Sequence, residues 1–247
     1  MTTPADHLGP NLTLATIAAT TPGAIPVLED FGLDYCCKGD RRLAEAAAAK
    51  GLDTDAVLRR LRGAAAETEA AGQDVSIWSD ATLIGLVEHI LQRYHDRLRQ
   101  DLPRLAGMGE RVVAAHGQRH PEVHEVAGTL GGLRAELESH MFKEEHVLFP
   151  FITQLERGLG HEHPMLGHVA SPIAVMEQEH DDAGAALTAL RSITSNFVAP
   201  GDACATFRAF YEGLATLERE LHEHIHLENN VLFPRARALE ERVIAGV

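Results

Sequence analysis

Hydrophobic side chains recur in alternating steps of three and four along four long stretches of the chain, at about residues 80–105, 121–157, 172–195 and 203–240. This spacing places the apolar residues on one face of an α-helix. Because the four helices have similar lengths and short connections, the pattern predicts an antiparallel four-helix bundle. In the third stretch, for example, the apolar line consists of Ile173, Met176, Ala183, Leu187 and Leu190.

Polar residues interrupt these apolar lines at positions where a core residue is expected. Each of the four lines contains one such histidine: His95, His140, His180 and His224. The second and fourth begin the pattern His-x3-Glu-x4-Phe-Pro, which adds Glu144 and Glu228 and repeats after 84 residues. The first and third each begin a His-Asp pair, which lies 45 or 44 residues before the pattern. The chain is therefore predicted to be a duplicated helical hairpin, in which the Phe-Pro pairs close or kink the helices.

Residues 1–72 differ from the rest of the chain, because prolines and glycines break their Ala- and Leu-rich stretches into short pieces. This block is predicted to be a small helical domain, followed by a linker at Ala71–Asp74 and by the bundle over residues 78–242. Ser79 or Asp80 is a suitable N-cap for the first bundle helix. Between the two hairpins, Gly158–Ser171 is predicted to be a loop, and it contains His161, His163 and His168.

Composition supports an all-α protein and excludes several kinds of partner. Of the 247 residues, 45% are hydrophobic but only 5% aromatic, and runs of alternating Val, Ile and Thr that would indicate strands are almost absent. The formal net charge of −14 disfavours nucleic acid and an anionic membrane surface. No apolar run is long enough to span a bilayer, and the N-terminus lacks the features of a signal peptide. A cytoplasmic location is expected.

The inward-facing polar residues predict a metal centre. A histidine and a glutamate four positions apart lie on the same helix face, so both can reach one metal. Two uncompensated carboxylates in a bundle core would cost several kcal/mol, and a bound cation removes that cost. Nitrogen and oxygen donors without thiolate suit iron or manganese, with two zinc ions as the alternative. If both carboxylates bridge two metals, each metal has two nitrogen and two oxygen donors, and an oxide or hydroxide bridge adds a fifth. The predicted ligands are His95, His140, Glu144, His180, His224 and Glu228.

For other carboxylates near these positions the sequence allows two roles, and for the remaining histidines near them it predicts exposure to water. Glu136 and Glu220 stand one turn before a predicted ligand, where they either orient ligands and shuttle protons or metal ions, or face water. Glu179 and Asp181 flank His180 and carry the same two alternatives. Four histidines lie off the apolar lines and are predicted to be on the surface: His89, His146, His222 and His226.

Cys36 and Cys37 are adjacent, in the segment Asp34-Tyr35-Cys36-Cys37-Lys38-Gly39. Neighbouring cysteines form only a strained disulfide ring, so the pair is better suited to redox exchange or metal capture than to cross-linking. The alternative is two small residues packed in a tight turn. Cys204 is predicted to be structural, and three cysteines with two adjacent do not make a secreted disulfide framework.

These motifs resemble the iron-sulfur cluster repair di-iron proteins, the Repair of Iron Centres family. The Asp-Tyr-Cys-Cys segment resembles the N-terminal domain of that family, and four further segments resemble its hemerythrin-like domain: Arg93–Arg97, Ser139–Glu145, Val175–Asp181 and Leu227–Pro234. The resemblance implies two non-haem iron ions held by the six predicted ligands, and a role for Cys36 and Cys37 in redox chemistry or iron transfer. It departs at Lys38, where the family usually has glycine, and at the long loop Gly158–Ser171.

The implied function is repair of iron-sulfur clusters after oxidative or nitrosative stress, by iron donation, by nitric oxide reduction, or by both. The implied partners are iron-sulfur proteins or a cluster-assembly scaffold, with nitric oxide or oxygen as small ligands; a homodimer is one open assembly. The alternative is an oxygen-binding or redox-sensing hemerythrin-like module. Oxygen carriers of that kind use a fifth histidine on the third helix, where this chain has Met176 and Gly184. A ferritin-like oxidase would instead need Glu-x2-His motifs.

Overall fold

The protein is helical in every part that the computed structural model describes, namely residues 7–70, 78, 81–160 and 167–246. No β-strand occurs among these residues, and the predicted all-α class and four-helix bundle are confirmed. By their internal contacts the residues form two units. The first comprises the chain up to Thr82 together with His222–Arg235, and the second comprises Leu83–Leu221 and Ala236–Val247.

The second unit contains most of the bundle, and the first, second and fourth bundle helices each include a π-helical turn. The first bundle helix consists of α5 (Leu83–Ile90), a π-helical turn (Leu91–His95) and α6 (Asp96–His116). The second consists of α7 (Glu122–Lys143), a π-helical turn (Glu144–Leu148) and α8 (Phe149–Glu156). The third is α9 (Ala170–Ile193). The fourth begins with α10 (Ala205–Leu227), which continues through a π-helical turn (Glu228–Leu232) into α11 (Phe233–Ala245).

One hydrophobic core joins the four bundle helices within the second unit. Leu102 of α6, Val126 of α7 and Phe207 and Phe210 of α10 are fully buried, and Leu187 of α9 is almost so. These residues come from the apolar lines seen in the sequence, whose spacing turns one face of every helix inward.

Carboxylates from distant parts of the chain cap two helices of this unit. Glu156 accepts hydrogen bonds from the backbone N–H groups of Leu83 at 2.7 Å and Ile84 at 2.8 Å, at the start of α5. Glu240 accepts one from Val169 at 2.8 Å, just before α9. The first N–H groups of a helix have no partner within it, and a negative charge there also interacts favourably with the helix dipole.

The first unit is built from four helices and a helical segment from late in the chain. The helices are α1 (Leu14–Thr20), α2 (Ala24–Asp30), α3 (Leu43–Ala49) and α4 (Thr54–Ala70). Thr13 caps α1 by accepting the N–H of Thr16 at 3.1 Å. Ile17, Leu28, Leu43 and Leu61 are fully buried in the core. Ile225 joins the same core, which explains why His222–Arg235 groups with this unit.

Several predicted details differ from the structure or lie outside the described residues. The first bundle helix ends at His116, about eleven residues later than expected, and Pro103 lies inside it. The Phe-Pro pairs do not close the helices, because α8 and α11 begin at Phe149 and Phe233 and continue to Glu156 and Ala245. The predicted linker, the N-cap at Ser79 or Asp80, and the loop histidines His161 and His163 fall outside the described residues.

The predicted boundary at residue 72 also lies outside the described residues. No helix of the described chain is both long and apolar enough to cross a membrane.

Candidate metal centre

Glu144 is the most buried charged residue of the second unit. Its side chain has no exposed surface, and Oε2 lies 3.3 Å from Nε2 of His95 and 3.3 Å from Nε2 of His140. His95 is fully buried and His140 is 4% exposed. Burial alone would raise the pKa of Glu144, but His140 and His95 outweigh it and hold the pKa well below its ordinary value. The carboxylate is therefore ionised, and an ionised group at such a position needs a positive partner.

The two imidazoles turn their Nε2 atoms toward Glu144 because their Nδ1 atoms are held elsewhere. Nδ1 of His95 lies 2.7 Å from Oε1 of Glu145, and Nδ1 of His140 lies 2.9 Å from Oε2 of Glu179. An ionised carboxylate only accepts hydrogen bonds, so each Nδ1 carries the proton and donates it. Whenever these imidazoles are neutral, Nε2 carries the lone pair that can bind a metal. Carboxylates placed in this way are typical partners of histidines that bind metals.

Both orienting carboxylates are themselves held by cations. Arg99 pairs with Glu145, and Lys143 pairs with Glu179. Burial alone would raise the pKa of Glu145, but Arg99 and His95 hold it below its ordinary value. In the same way Lys143 and His140 lower the pKa of Glu179. The two carboxylates thus remain ionised and keep the proton on Nδ1 of each histidine.

His180 completes the group in this unit. Its Nε2 lies 3.1 Å from Nε2 of His140, and it is 3% exposed. His140, Glu144 and His180 each offer a ligand atom within 4.8 Å of the others. The lone pair on Nε2 of His140 thus faces both a second imidazole nitrogen and a carboxylate oxygen, which repel it unless a proton or a metal cation lies between them.

The separations fit a shared metal ion. Two nitrogen or oxygen donors that bind one ion at roughly 2.1 Å, about 90–105° apart, are roughly 3.0–3.3 Å from each other. The measured contacts of 3.1 and 3.3 Å lie at these values. They are at or beyond the long end of the usual hydrogen-bond range of about 2.7–3.2 Å. The donor set of imidazole and carboxylate is one that iron, manganese and zinc accept.

His224 and Glu228 form the corresponding pair in the first unit. Nε2 of His224 lies 3.0 Å from Oε1 of Glu228, one helical turn away, and the side chains are 3% and 0% exposed. The pair repeats the relation of His140 to Glu144, as the duplicated sequence pattern predicts. A second fully buried carboxylate again faces an imidazole nitrogen.

One predicted ligand on each of the first, second and fourth helices lies at an end of a π-helical turn. His95 ends the turn Leu91–His95, while Glu144 and Glu228 begin the turns Glu144–Leu148 and Glu228–Leu232. In the last two, the N–H of Phe149 or Phe233 donates to the carbonyl five residues earlier, at the glutamate. A π-helical turn holds one extra residue, and such turns are frequent at functional sites.

The predicted orienting carboxylates take other positions. Glu136 is exposed, and Glu220 lies 3.1 Å from Arg97 and 3.7 Å from Arg93. Glu145 and Glu179 contact His95 and His140 instead. For Glu179 the sequence left two alternatives, contact with a ligand or exposure to water, and the structure shows the contact with His140. The sequence pattern did not predict a role for Glu145. Its position next to Glu144 was the available signal.

The four histidines predicted to be on the surface divide into two groups. His146 is exposed, and His89 is half-buried, where burial and then Arg93 lower its pKa. His222 is half-buried beside Tyr35, and the prediction for His226 is wrong, because it is only 2% exposed. His226 packs 5.5 Å from the Tyr35 ring and lies 3.1 Å from Asn230, and burial lowers its pKa to about 4.

Cys36 and Cys37 lie in a turn of the first unit, and neither forms a disulfide bond. Cys36 is 4% exposed and Cys37 is half-buried. Hydrogen bonding to Cys37, burial and the nearby Asp34 raise the pKa of the Cys36 thiol well above its ordinary value. Lys38 at the position of the family glycine is exposed and does not have a positive φ. Gly39 is the position that needs glycine, because a Cβ there would lie 2.5 Å from the Tyr35 carbonyl oxygen.

Comparison with known proteins agrees with these features. Residues 86–236 match the family model of the hemerythrin HHE cation binding domain, and residues 10–65 match a domain of unknown function, DUF542. The iron-sulfur cluster repair protein YtfE of Musicola paradisiaca is 40% identical over 223 residues, which cover 90% of this chain and 95% of that protein. The YtfE proteins of Cronobacter sakazakii and Escherichia coli are 41% and 40% identical over 228 residues, or 92% of this chain and 97% of theirs.

The match covers both the segment with the adjacent cysteines and the helices that carry the buried histidines and glutamates. The expected resemblance is therefore confirmed, and the chain belongs to the family of iron-sulfur cluster repair proteins with a hemerythrin HHE cation binding domain.

Proposed function

We propose that this protein is a non-haem di-iron protein that takes part in the repair of damaged iron-sulfur clusters. The observation that carries the proposal is the fully buried Glu144, whose Oε2 lies 3.3 Å from Nε2 of both His95 and His140. The role in repair is supported by the relatives, which are named iron-sulfur cluster repair proteins. The proposed iron ligands are His95, His140, Glu144, His180, His224 and Glu228.

Two carboxylates and four imidazoles exceed the four protein ligands of one tetrahedral ion, which favours two ions. Sharing each carboxylate between them gives each ion two nitrogen and two oxygen donors. Bound iron would supply redox chemistry and coordination positions that a small molecule can occupy. Nitric oxide and oxygen are the small ligands that this proposal includes.

The surrounding residues of the chain make these donors available. Glu145 and Glu179 hold the Nδ1 protons of His95 and His140, so that Nε2 needs no deprotonation before it binds a metal. Burial excludes water from the carboxylate of Glu144, which strengthens its attraction to a cation. Neutral imidazoles with only two carboxylates would also leave an iron pair with net positive charge, which favours the binding of anionic ligands.

Reversible oxygen transport is the less supported alternative. The positions one turn to either side of His180 on α9 are Met176 and Gly184, which provide no fifth imidazole. Fewer protein ligands leave more positions for exchange. This favours iron donation or reaction with nitric oxide over reversible oxygen binding, and we propose both as routes by which the protein supports cluster repair.

The proposed partners are iron-sulfur proteins with damaged clusters, or a scaffold on which clusters are assembled, in the cytoplasm. The net charge of −14 makes nucleic acid an unsuitable partner. Cys36 and Cys37 are proposed to contribute to redox chemistry or iron transfer.

Iron content tests the centre. The purified protein is expected to contain about two iron ions per chain, and His140→Ala and Glu228→Ala are expected to lose at least about half of them. His146→Ala is the matched control, because His146 is an exposed histidine near the same site. Full iron content in His140→Ala and Glu228→Ala, or no iron in the wild type, would contradict the proposed centre.

Repair is tested with an oxidised iron-sulfur protein whose cluster absorbance and activity have been lost. The iron-loaded protein is expected to restore both, and the metal-free protein and His140→Ala are not. Absorption spectra under air, nitrogen and nitric oxide distinguish cluster repair from the alternative, reversible oxygen transport. An oxygenated spectrum that is stable and reverses on degassing, without recovery of damaged clusters, would favour the oxygen carrier.

A further inference from the structure

The first unit contains a second group of potential metal ligands, which lies in the turn after α2. Asp34, Cys36 and Cys37 each offer one ligand atom, and these atoms lie within 4.8 Å of one another. None of the three is among the proposed iron ligands, and the donors differ in kind, because two are sulfur atoms. Iron binding by histidines and glutamates does not use this group, and the proposed redox or iron-transfer role of the two cysteines does not say which ligand they hold.

The distances within the group are those of donors around a tetrahedral ion. Sγ of Cys36 lies 3.8 Å from Sγ of Cys37 and 3.4 Å from Oδ1 of Asp34. Two thiolates bound to one tetrahedral zinc at about 2.3 Å are roughly 3.8 Å apart, and a thiolate and a carboxylate oxygen are roughly 3.5 Å apart. A disulfide would need the sulfur atoms to approach to about 2.05 Å and would strain the adjacent residues.

The turn that carries these ligands is fixed by its own contacts. Oδ1 of Asp34 accepts the backbone N–H of Cys37 at 3.0 Å and of Lys38 at 3.3 Å. The side-chain amide of Asn230 donates to the carbonyl oxygens of Tyr35 and Cys36, both at 3.1 Å. These bonds hold the backbone on both sides of the thiols. Little conformational entropy is therefore lost when the three ligands bind an ion.

We propose that Asp34, Cys36 and Cys37 bind one thiophilic divalent transition-metal ion, of the class of Zn²⁺, through two thiolates and a carboxylate. Each thiol releases its proton to solvent as it binds, so the ion replaces two protons. Three protein ligands leave the fourth tetrahedral position to water or to a donor from another molecule.

Exposure indicates an exchange site rather than a closed structural site. Cys36 is buried, but Cys37 and Asp34 are half-buried, so an ion can enter and leave on their side. A structural zinc site usually has four protein ligands and no open position. The ion is therefore held less tightly than in such a site and is available for transfer to a donor group that completes its fourth position.

Cobalt provides the test, because thiolate ligands give Co²⁺ an intense near-ultraviolet charge-transfer absorption that imidazole and carboxylate do not. The iron-loaded full chain, with its thiols kept reduced by a phosphine, is titrated with Co²⁺. The expected result is a thiolate band that saturates at about one equivalent, together with the visible absorption of a tetrahedral ion, and that Zn²⁺ abolishes. Absence of the thiolate band would overturn the proposal.

Variants separate the three ligands from the rest of the chain. Cys37→Ser and Cys36→Ser are expected to lower the Co²⁺ affinity at least about tenfold and to reduce the thiolate band. Cys204→Ser, which changes the remaining cysteine, is expected to leave both unchanged. A band that persists in Cys36→Ser/Cys37→Ser, or that disappears in Cys204→Ser, would refute the site. Helicity and iron content show whether each variant folds. If Cys36→Ser does not fold, the Co²⁺ affinity and thiolate band of Cys37→Ser test the site, because Cys37 is only half-buried.

Asp34→Asn tests the carboxylate alone. The amide oxygen of asparagine can still accept the N–H groups of Cys37 and Lys38, so the turn is retained while the charge is lost. The expected result is a retained thiolate band with several-fold weaker Co²⁺ binding, and an unchanged affinity would show that Asp34 is not a ligand. Iron content is measured in every sample, so loss of the histidine and glutamate centre is distinguished from loss of this site.

Discussion

At the scale of single residues, the orientation of an imidazole depends on the carboxylate at its far nitrogen. Glu145 and Glu179 contact Nδ1 of His95 and His140, while Arg99 and Lys143 hold those carboxylates in turn. Metal affinity is lower when binding must first fix the rotamer and tautomer of a histidine. In His95 and His140 both are already fixed, with Nε2 facing the proposed centre. These two half-buried carboxylates therefore set the orientation of two ligands of the proposed centre.

We expect Glu145→Ala and Glu179→Ala to lower iron affinity by about 10–100-fold each, because His95 or His140 then loses the acceptor that fixes its tautomer. Affinity is measured by competition with a chelator. Glu136→Ala is the matched control, since Glu136 is an exposed glutamate on α7 and is expected to have no effect. If Glu136→Ala weakened iron binding as much as the other two, the orienting role would belong to the carboxylate that precedes His140.

The residues around the adjacent cysteines explain how the turn tolerates Lys38. Its side chain is exposed and its backbone does not need the left-handed region. The steric demand falls one position later, at Gly39, where a Cβ would also lie 2.8 Å from Oδ1 of Asn230 and 2.9 Å from Cβ of Ala15. A sequence with one glycine therefore builds the turn, provided that the glycine is at position 39.

At the scale of elements, the π-helical turns allow the long helices to place both apolar core residues and polar ligands on their inward faces. The long helices must keep their apolar residues in the core above and below the proposed ligands, yet the ligands themselves lie at core positions. One extra residue in the turns at Leu91–His95, Glu144–Leu148 and Glu228–Leu232 locally changes which residues face inward. Pro150 and Pro234 follow two of these turns. Proline has no backbone N–H to donate within a helix, and this loss destabilises the helix little where the regular α-helical hydrogen bonding is already interrupted.

Capping of α5 by Glu156 is an element-scale feature with a measurable effect. In Glu156→Ala the N–H groups of Leu83 and Ile84 lose their acceptor, so we expect the free energy of unfolding to fall by about 1–2 kcal/mol. Denaturant unfolding of the iron-loaded protein measures it. The control Glu138→Ala removes an exposed glutamate that pairs with Arg134 on the same helix, and a change below about 0.5 kcal/mol is expected. Equal losses in the two variants would contradict the capping role.

At the scale of the whole molecule, the proposed centre couples metal binding to folding. The carboxylates of Glu144 and Glu228 are fully buried, and a buried, ionised carboxylate opposes folding unless a cation compensates its charge. Anything that binds the folded chain and not the unfolded chain stabilises it by mass action. The metal should therefore contribute to stability as well as to chemistry.

Removal of iron is expected to lower the unfolding midpoint by roughly 5–10 °C, the equivalent of about 3 kcal/mol at a hundredfold excess of metal over its dissociation constant. Thermal unfolding before and after anaerobic chelation, and after iron is restored, measures the effect. Glu144→Gln serves as the control, since it removes a buried charge and a ligand together, and its midpoint should respond little to iron. A wild-type midpoint that does not change on chelation would contradict the coupling.

The sequence by itself determined the helical class, the four-helix bundle and the candidate ligands. Helical periodicity is a local property, so the steps of three and four along residues 172–195 predict α9 to within about two residues of its observed ends. The duplicated spacing of His140 with Glu144 and of His224 with Glu228 marked the polar core positions in the same way. Their burial follows from the apolar residues that flank them on the same face.

The tertiary structure decided the features that depend on residues distant in sequence. The pairing of His95 with Glu145 and of His140 with Glu179 joins different helices, and no spacing along the chain encodes it. The burial of His226 depends on Tyr35, which lies in another part of the first unit. The π-helical turns depend on the balance between core packing and backbone hydrogen bonding. Local sequence sets which face of a helix is apolar, whereas the neighbours that cover this face are set only when the whole chain packs.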